Sequence, residues 1–460
     1  MATAITIKGG SGVDTINYSF VVTGTNTTRY AVQFADTVNA LLANGDPLTL
    51  VKSSGADALL KDPGSQPHIY DLVPSSVTGG SNVYNIFNAG YVIDTISGNA
   101  VVNLAGGDTV LVAGQNAQTT VSAANAGIGG NNDLIIFVSG NNEYIGDTTA
   151  GGGSGDTIVA GSGFDTISTG GGSATVNSGT GDATIYLNDT TTGSTINQFV
   201  YLDDGRSVVY ANGANDAVIA TAAGQTIDAN TDTASGAGSQ LSVVLLGSST
   251  DDLITGGLGG SIVYDYSAGG NTVDGGAGAM FFVGGTNVAD TILGGSGELV
   301  AYGNAGDSLT FANELGVTGG LSELIAGSGD ETLSGAGATS GVALFGSTDT
   351  AANDILTGGA GNDTLQAGVG NETLTGGAGT NLFVLNHLAD AGGNITIADF
   401  AASATNEIAF GNYSPSDVAS ALAAGVETDG NFVITLSDNT TVTFTGVTGA
   451  SELTGHIFTF

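Results

Sequence analysis

The chain has 460 residues, of which 43 are Asp or Glu and only five are basic (Lys8, Arg29, Lys52, Lys61 and Arg206), giving a formal charge of −38. Five scattered cations cannot form the patch that phosphate backbones or anionic lipid surfaces require, which excludes nucleic acid and acidic membranes as partners. A hydrophobic content of 41% argues against disorder, and the absence of cysteine excludes disulfides and thiolate metal sites.

Residues 1–75 differ from the rest. Ala4-Ile5-Thr6-Ile7 alternates as a strand and leads into Gly9-Gly10-Ser11-Gly12-Val13-Asp14-Thr15-Ile16-Asn17, a glycine-rich nonapeptide with an acidic sixth position. Tyr30, Phe34, Val38, Leu41 and Leu42 then share one face of a helical net, and Gly45 follows where a helix would end. All the basic residues except Arg206 lie here. The segment is expected to be a cap or docking element, because the open ends of a repeat array must be covered. The opening residues lack the basic and long apolar regions of a secretory leader, and no apolar run is long enough to span a membrane.

Residues 76–385 carry a nine-residue rhythm. Asp156-Thr157-Ile158, Asp165-Thr166-Ile167, Ala174-Thr175-Val176 and Ala183-Thr184-Ile185 keep the apolar step while the acidic slot gives way to Ala. Ile254, Val263, Val273, Phe282, Ile292 and Ala301 step by nine or ten, and Leu324 and Leu333 by nine. Asp290, Asp307 and Glu331 hold acidic slots there, whereas Ser261, Met280 and Leu299 do not. In residues 354–384 the pattern is regular: Asp354-Ile355-Leu356-Thr357, then Gly358-Gly359-Ala360-Gly361-Asn362-Asp363-Thr364-Leu365-Gln366, Ala367-Gly368-Val369-Gly370-Asn371-Glu372-Thr373-Leu374-Thr375 and Gly376-Gly377-Ala378-Gly379-Thr380-Asn381-Leu382-Phe383-Val384. A nine-residue unit must both turn and run straight, so glycine supplies the turn and the triplet around Leu356, Leu365, Leu374 and Phe383 supplies a strand with its centre pointing inward.

The block resembles the G-G-x-G-x-D-x-U-x repeat of RTX proteins, the hemolysin-type calcium-binding family. The resemblance implies an all-β fold, a parallel β-roll or β-helix solenoid of calcium-binding nonapeptide repeats with small helix-containing ends. Each coil would hold two nonapeptides, so that Asp354 pairs with Glu372 and Asp363 with Asn381. It implies Ca2+ as the cofactor, held by those four residues and the turns of Gly359, Gly361, Gly368, Gly370, Gly377 and Gly379, with further sites at Asp14, Asp156 and Asp165. Oxygen donors without His or Cys suit this hard cation. The resemblance also implies export by the one-step type I pathway and a secreted, extracellular or cell-surface location.

Residues 386–460 form the other end. Ile397-Ala398-Asp399-Phe400 resembles the I-x-D-F segment that follows RTX repeats. Ser414-Pro415-Ser416-Asp417 reads as a capping box opening a short helix that ends at Gly425, and two alternating stretches around Asp438-Asn439 read as a hairpin. The apolar finish Ile457-Phe458-Thr459-Phe460 resembles type I secretion signals.

No catalytic constellation is evident. His68, His387 and His456 are far apart in sequence, and no nucleophile elbow or phosphate-binding loop is present. Asp203-Asp204 and Asp251-Asp252 could be read as acid pairs of a polysaccharide lyase, epimerase or glycosidase, but Arg206 is the one cation after Lys61, and the protein is expected not to be an enzyme. The expected function is a calcium-dependent, self-assembling extracellular structural protein, a surface-layer or biofilm-matrix subunit whose partners are its own copies and a cell-surface polysaccharide. The alternative is a secreted adhesin or carbohydrate-binding protein.

Overall fold

A computed structural model describes residues 2–10, 15–23, 25–52, 59–61, 68–73, 82–87, 90–94, 99–105, 109–113, 119–122, 132–147, 155–188, 198–213, 215–229, 240–286, 288–294, 297–304, 308–313, 322–387 and 392–460. The chain forms two compact units, Met1–Ser249 with Gly257–Gly259 and Thr250–Gly256 with Gly260–Phe460. Each is a parallel β-solenoid. Strands alternate between two sheets, so that each pairs with the strand two further along the chain. In the first unit Asp156–Val159 pairs with Ala174–Asn177, while the intervening Phe164–Ser168 pairs with Asp182–Leu187.

The inward columns are those the periodicity predicts. Ile158 lies beside Val176, and Ile167 beside Ile185. In the second unit one column runs Ile254, Val273, Ile292, and the other runs Val263, Phe282, Ala301, Leu324, Leu344, Leu365, Phe383. All of these residues are fully buried. The alternation of nine and ten now has a physical meaning: a coil here is nineteen residues long, with the extra residue always in the same one of its two turns. Coils of the consensus block are eighteen, Ile355 pairing with Thr373 and Thr364 with Leu382. Register is fixed because a slip of one residue would turn every inward side chain to solvent.

In the first unit, β1 (Thr3–Gly9) and β2 (Ile16–Val22) form an antiparallel hairpin, followed by α1 (Thr25–Asn44). The helix presents Phe34, Val38 and Leu42 to the core as the sequence predicts, and Gly45, at φ +88°, ends it. These elements do not sit over the end of the solenoid. They lie along its side, where Ile5, Ile7, Phe20, Phe34 and Val38 pack with the outward-facing Ile69, Ile93, Val112, Ile136 and Val159 of successive coils. Coiling also starts within residues 1–75, because Leu48–Lys52 pairs in parallel with Ile69–Val73. The amphipathic pattern of a helix gives its buried face but not the surface it meets.

The hairpin corrects the reading of the isolated nonapeptide. Its flanking strands pair with each other antiparallel, Gly9 opposite Ile16, so the segment is a hairpin connection and not a solenoid coil. Asp14 itself lies outside the described residues, as does Asp307. Glycine-rich punctuation between alternating strands serves either purpose. Only a neighbour eighteen residues away distinguishes them, and this copy has none.

In the second unit the solenoid closes through a helix and a hairpin that the sequence predicts and through strands that it does not, Glu407–Gly411 and Ile457–Thr459. Asn394–Ile397 and Glu407–Gly411 continue the two sheets, and Thr441–Thr445 and Ile457–Thr459 add the next rung to each. A helix, α2 (Pro415–Ala424), is capped by the Ser414 hydroxyl, which accepts the Asp417 N–H at 3.1 Å. The hairpin turns at Asn439, φ +69°. Phe400 covers the core end, packing against Phe383, Phe444 and His456. Among the described residues no helix is long and apolar enough to cross a membrane. Truncating an inward rung should leave a cavity: Leu365→Ala is expected to lose about 2–5 kcal/mol in chemical denaturation, in calcium and in chelator alike.

Candidate metal centre

The acidic slot is the residue that enters each strand from its turn, and its side chain has a structural task. In coil after coil it accepts the backbone N–H of the slot residue in the preceding coil. Asp354 Oδ1 accepts from Glu331 N at 3.0 Å, Asp363 Oδ1 from Val342 N at 2.9 Å, and Asn381 Oδ1 from Asp363 N at 3.0 Å. In the first unit Asp156 accepts from Asp133 N and Asp165 from Asn142 N. Neutral residues do the same, as Asn142, Ser207, Gln225, Asn271 and Asn406 show. The second oxygen holds the residue's own turn, Asp363 Oδ2 taking the Gly359 N–H at 2.6 Å and Asp165 Oδ2 the Gly161 N–H at 3.1 Å.

Glu372 departs from this series. One methylene longer than Asp, it accepts the Gly368 N–H on Oε1 at 2.7 Å, while Oε2 is buried with no hydrogen-bond partner. Burial, with the Asp354 charge adding to it, raises its carboxyl to about 8 despite the Gly368 amide. Asp354 and Glu372 occupy adjacent rungs, as do Asp363 and Asn381. Both pairings expected from the sequence are therefore brought together, although among the described residues no three acidic or imidazole groups converge. A cation bound here would draw its remaining ligands from backbone carbonyls.

The glycines supply that backbone. A Cβ on Gly377 or Gly379, both at positive φ, would strike the carbonyl oxygen of Gly359 or Gly361 in the preceding coil, and one on Gly368 would strike the Ser347 carbonyl. Gly359, Gly361 and Gly370 likewise lie against the backbone of the preceding coil. The donor set is oxygen only, the coils approach closely at the turns, and a buried carboxylate oxygen lacks a partner. These residues fit Ca2+, with Asp354, Asp363, Glu372 and turn carbonyls to hold it. The cation supplies compensation for buried negative charge and a cross-link between rungs.

Slots outside the consensus block are buried to the same degree. Asp156, whose Oδ2 accepts the Tyr144 hydroxyl at 2.8 Å, is raised to about 6 by burial, and burial raises Asp165 as well. Asp290 accepts the Asn271 N–H, and Glu331 is buried in line with Asp354. Ser261, Met280 and Leu299 align as a buried, non-acidic column. Of the acid pairs, Asp252 is a slot residue whose N–H bonds Asn271 Oδ1, and Asp203 and Asp204 line a threonine-rich cleft with Thr23, Thr25, Thr180 and Thr221. His68 and His387 pack against Tyr70 and Tyr413. Sequence reasoning missed Asp399, whose two oxygens accept the N–H groups of Gly376 and Gly377 at 2.8 Å each. The I-x-D-F resemblance marked the segment, but nothing in its spacing gave that partner. It also missed a surface ladder one residue before the slot, where Asn353 bonds Asp330, Asn371 bonds Asn353, and Asn394 bonds Asn371.

The RTX calcium-binding nonapeptide repeat family matches residues 150–185 and 348–383, in four copies. No curated protein and no solved structure matches the chain. The chain is a β-solenoid that carries RTX calcium-binding nonapeptide repeats over those residues, and RTX repeat proteins are typically secreted.

Two outcomes test the centre. Asp363→Ala is expected to lower calcium affinity and stability in isothermal calorimetry and melting, while Ala174→Ser, at a slot with no ligand, leaves calcium affinity unchanged. Glu372 sets a pH dependence. Its folded pKa lies above the unfolded value, so the folded state holds the extra proton between about pH 4.5 and 8, and calcium-free stability falls as pH rises through that window. Denaturation of wild type against Glu372→Gln in chelator should show a smaller fall in the variant, where only the other buried carboxyls such as Asp156 and Asp165 contribute.

Proposed function

We propose that the protein is a secreted, non-catalytic structural subunit whose calcium-ordered coils build an extracellular assembly, either a surface layer or a biofilm-matrix filament. The observation that carries the calcium dependence is Glu372 Oε2, a buried carboxylate oxygen without a partner. A chain with a formal charge of −38 repels its own copies, and calcium both relieves that repulsion and stiffens the coils. Sites of this kind fill at about 10⁻⁴–10⁻³ M calcium, which is an extracellular concentration. Phe458, exposed on the strand Ile457–Thr459, and the exposed Phe460 beside it offer an export apparatus an apolar handle.

The hairpin supplies a route to assembly through the edge of β2, which another copy's strand can extend, since on the β1 edge Asn39 already bonds the Thr6 carbonyl and the Lys8 amide. Deleting residues 1–20 is not a clean test of that route. Ile5, Ile7, Ile16 and Phe20 cover the outer face of the first unit, and their loss would expose Ile69, Ile93 and Val112.

Electron microscopy and sedimentation of the full chain in millimolar calcium are expected to show ordered sheets or filaments that dissociate on chelation. A chain that stays monomeric at high concentration in millimolar calcium refutes assembly and favours a soluble adhesin. Calorimetry gives a second check: excess chelator should lower the melting temperature, and identical melting with and without calcium is incompatible with the proposal.

A further inference from the structure

Outward positions of a solenoid strand face water, and in the consensus coils most of them are polar: Thr357, Thr364, Gln366, Thr373 and Thr375 flank the buried leucines, with Ile355 an isolated exposed apolar residue. An apolar outward flank therefore calls for a cover. In the first unit the aliphatic flank of one sheet has its cover in the hairpin and α1. In the second unit, Ser261–Gly269, Met280–Val283, Leu299–Tyr302, Ser322–Ile325 and Val342–Phe345 again carry apolar flanks, yet among the described residues no helix or strand lies over them.

The chemistry of this second flank is different. It is aromatic. Tyr264 and Tyr266 lie parallel with ring centroids 6.2 Å apart, Phe281 meets Tyr264 at 6.4 Å, and Tyr302 meets Phe281 at 5.5 Å. Four rings thus form a ribbon across three adjacent coils. Tyr266 and Tyr302 keep 58% and 38% of their surface exposed, so their faces remain available. On the next coil Glu323 is half-buried in register with Val300, placing a carboxylate acceptor beside the ribbon.

We propose that this ribbon binds a neutral polysaccharide lying across the coils, independently of the calcium sites. The C–H face of a sugar ring stacks on an aromatic ring, the tyrosine hydroxyls exchange hydrogen bonds with sugar hydroxyls, and Glu323 accepts from them. An anionic polymer is excluded by charge, because the chain offers no cation beyond Arg206 after residue 61. A second copy fits poorly, because face-to-face pairing would press the Glu323 carboxylate into an aromatic surface.

The test is an array of neutral and acidic microbial polysaccharides probed with the full chain in calcium. Binding confined to neutral polymers is expected. On the best of them, Tyr266→Ala and Tyr302→Ala should each weaken affinity at least fivefold and Glu323→Gln about threefold, while Tyr302→Phe keeps most of it. Melting temperature should stay unchanged on Tyr266→Ala, whose side chain is largely exposed, and Tyr302→Phe keeps the packing of the half-buried Tyr302 ring on Phe281. Absence of binding to every neutral polymer overturns the proposal. So does binding that ignores the alanine substitutions, or a shift in sedimentation on Tyr302→Ala that identifies the ribbon as a contact between copies.

Discussion

A parallel ladder satisfies the amides within each strand, but the amide of the residue entering the strand from the turn must find its acceptor in the side chain of the next coil. Here the slot residue provides it, through Asp133 to Thr109, Asn271 to Asp252 and Asn406 to Asn381. A buried amide left without an acceptor costs about 1–3 kcal/mol, so each such bond helps set the register of one coil on the next. The bond needs an oxygen, not a charge. Asn, Gln and Ser supply it as well as Asp, which accounts for a solenoid that runs far beyond its acidic slots. An acid at the slot adds buried negative charge to a bond that a neutral residue would make, and at Glu372 that charge has an oxygen to spare. The excess is the physical case for metal at residues 354–384.

Much of this was legible in the sequence because the inward column leaves a periodic trace that tolerates no slip. Ile254, Val263, Val273 and Phe282 could be placed inside from spacing alone, and all are fully buried. The eighteen-residue pairing of Asp354 with Glu372 followed from the family resemblance, and the registers agree. The helices at Tyr30 to Leu42 and at Pro415 were visible through amphipathicity and capping. What spacing could not give was anything depending on a partner outside the repeat. Asp399 reaches two glycine amides more than twenty residues away, and the stretch at Gly9 matches the consensus while turning a hairpin. The slot itself was read as a ligand position, and its role as a backbone cap emerged only with the coils in register.

The outward flanks form a second layer of information, independent of the inward columns. Aliphatic flanks at Ile93, Val112 and Ile136 meet the chain's own helix, polar flanks around Leu365 and Leu374 meet solvent, and aromatic flanks at Phe281 and Tyr302 remain half-exposed. One backbone plan therefore carries three surfaces, because replacing an outward residue leaves the core untouched.

These flanks also explain where metal is needed. Coils whose outer face is covered by apolar side chains gain burial on both sides of a sheet, at roughly 25 cal/mol per Å² of apolar area, and are tied sideways to a helix. The consensus coils have mostly threonine and glutamine outside and a single inward leucine in strands such as those of Leu356 and Leu374. Their cohesion must come from the turns, where glycines let the coils approach and carboxylates accumulate. Lateral apolar cover and a divalent cation in the turns are thus alternative ways to hold one coil to the next.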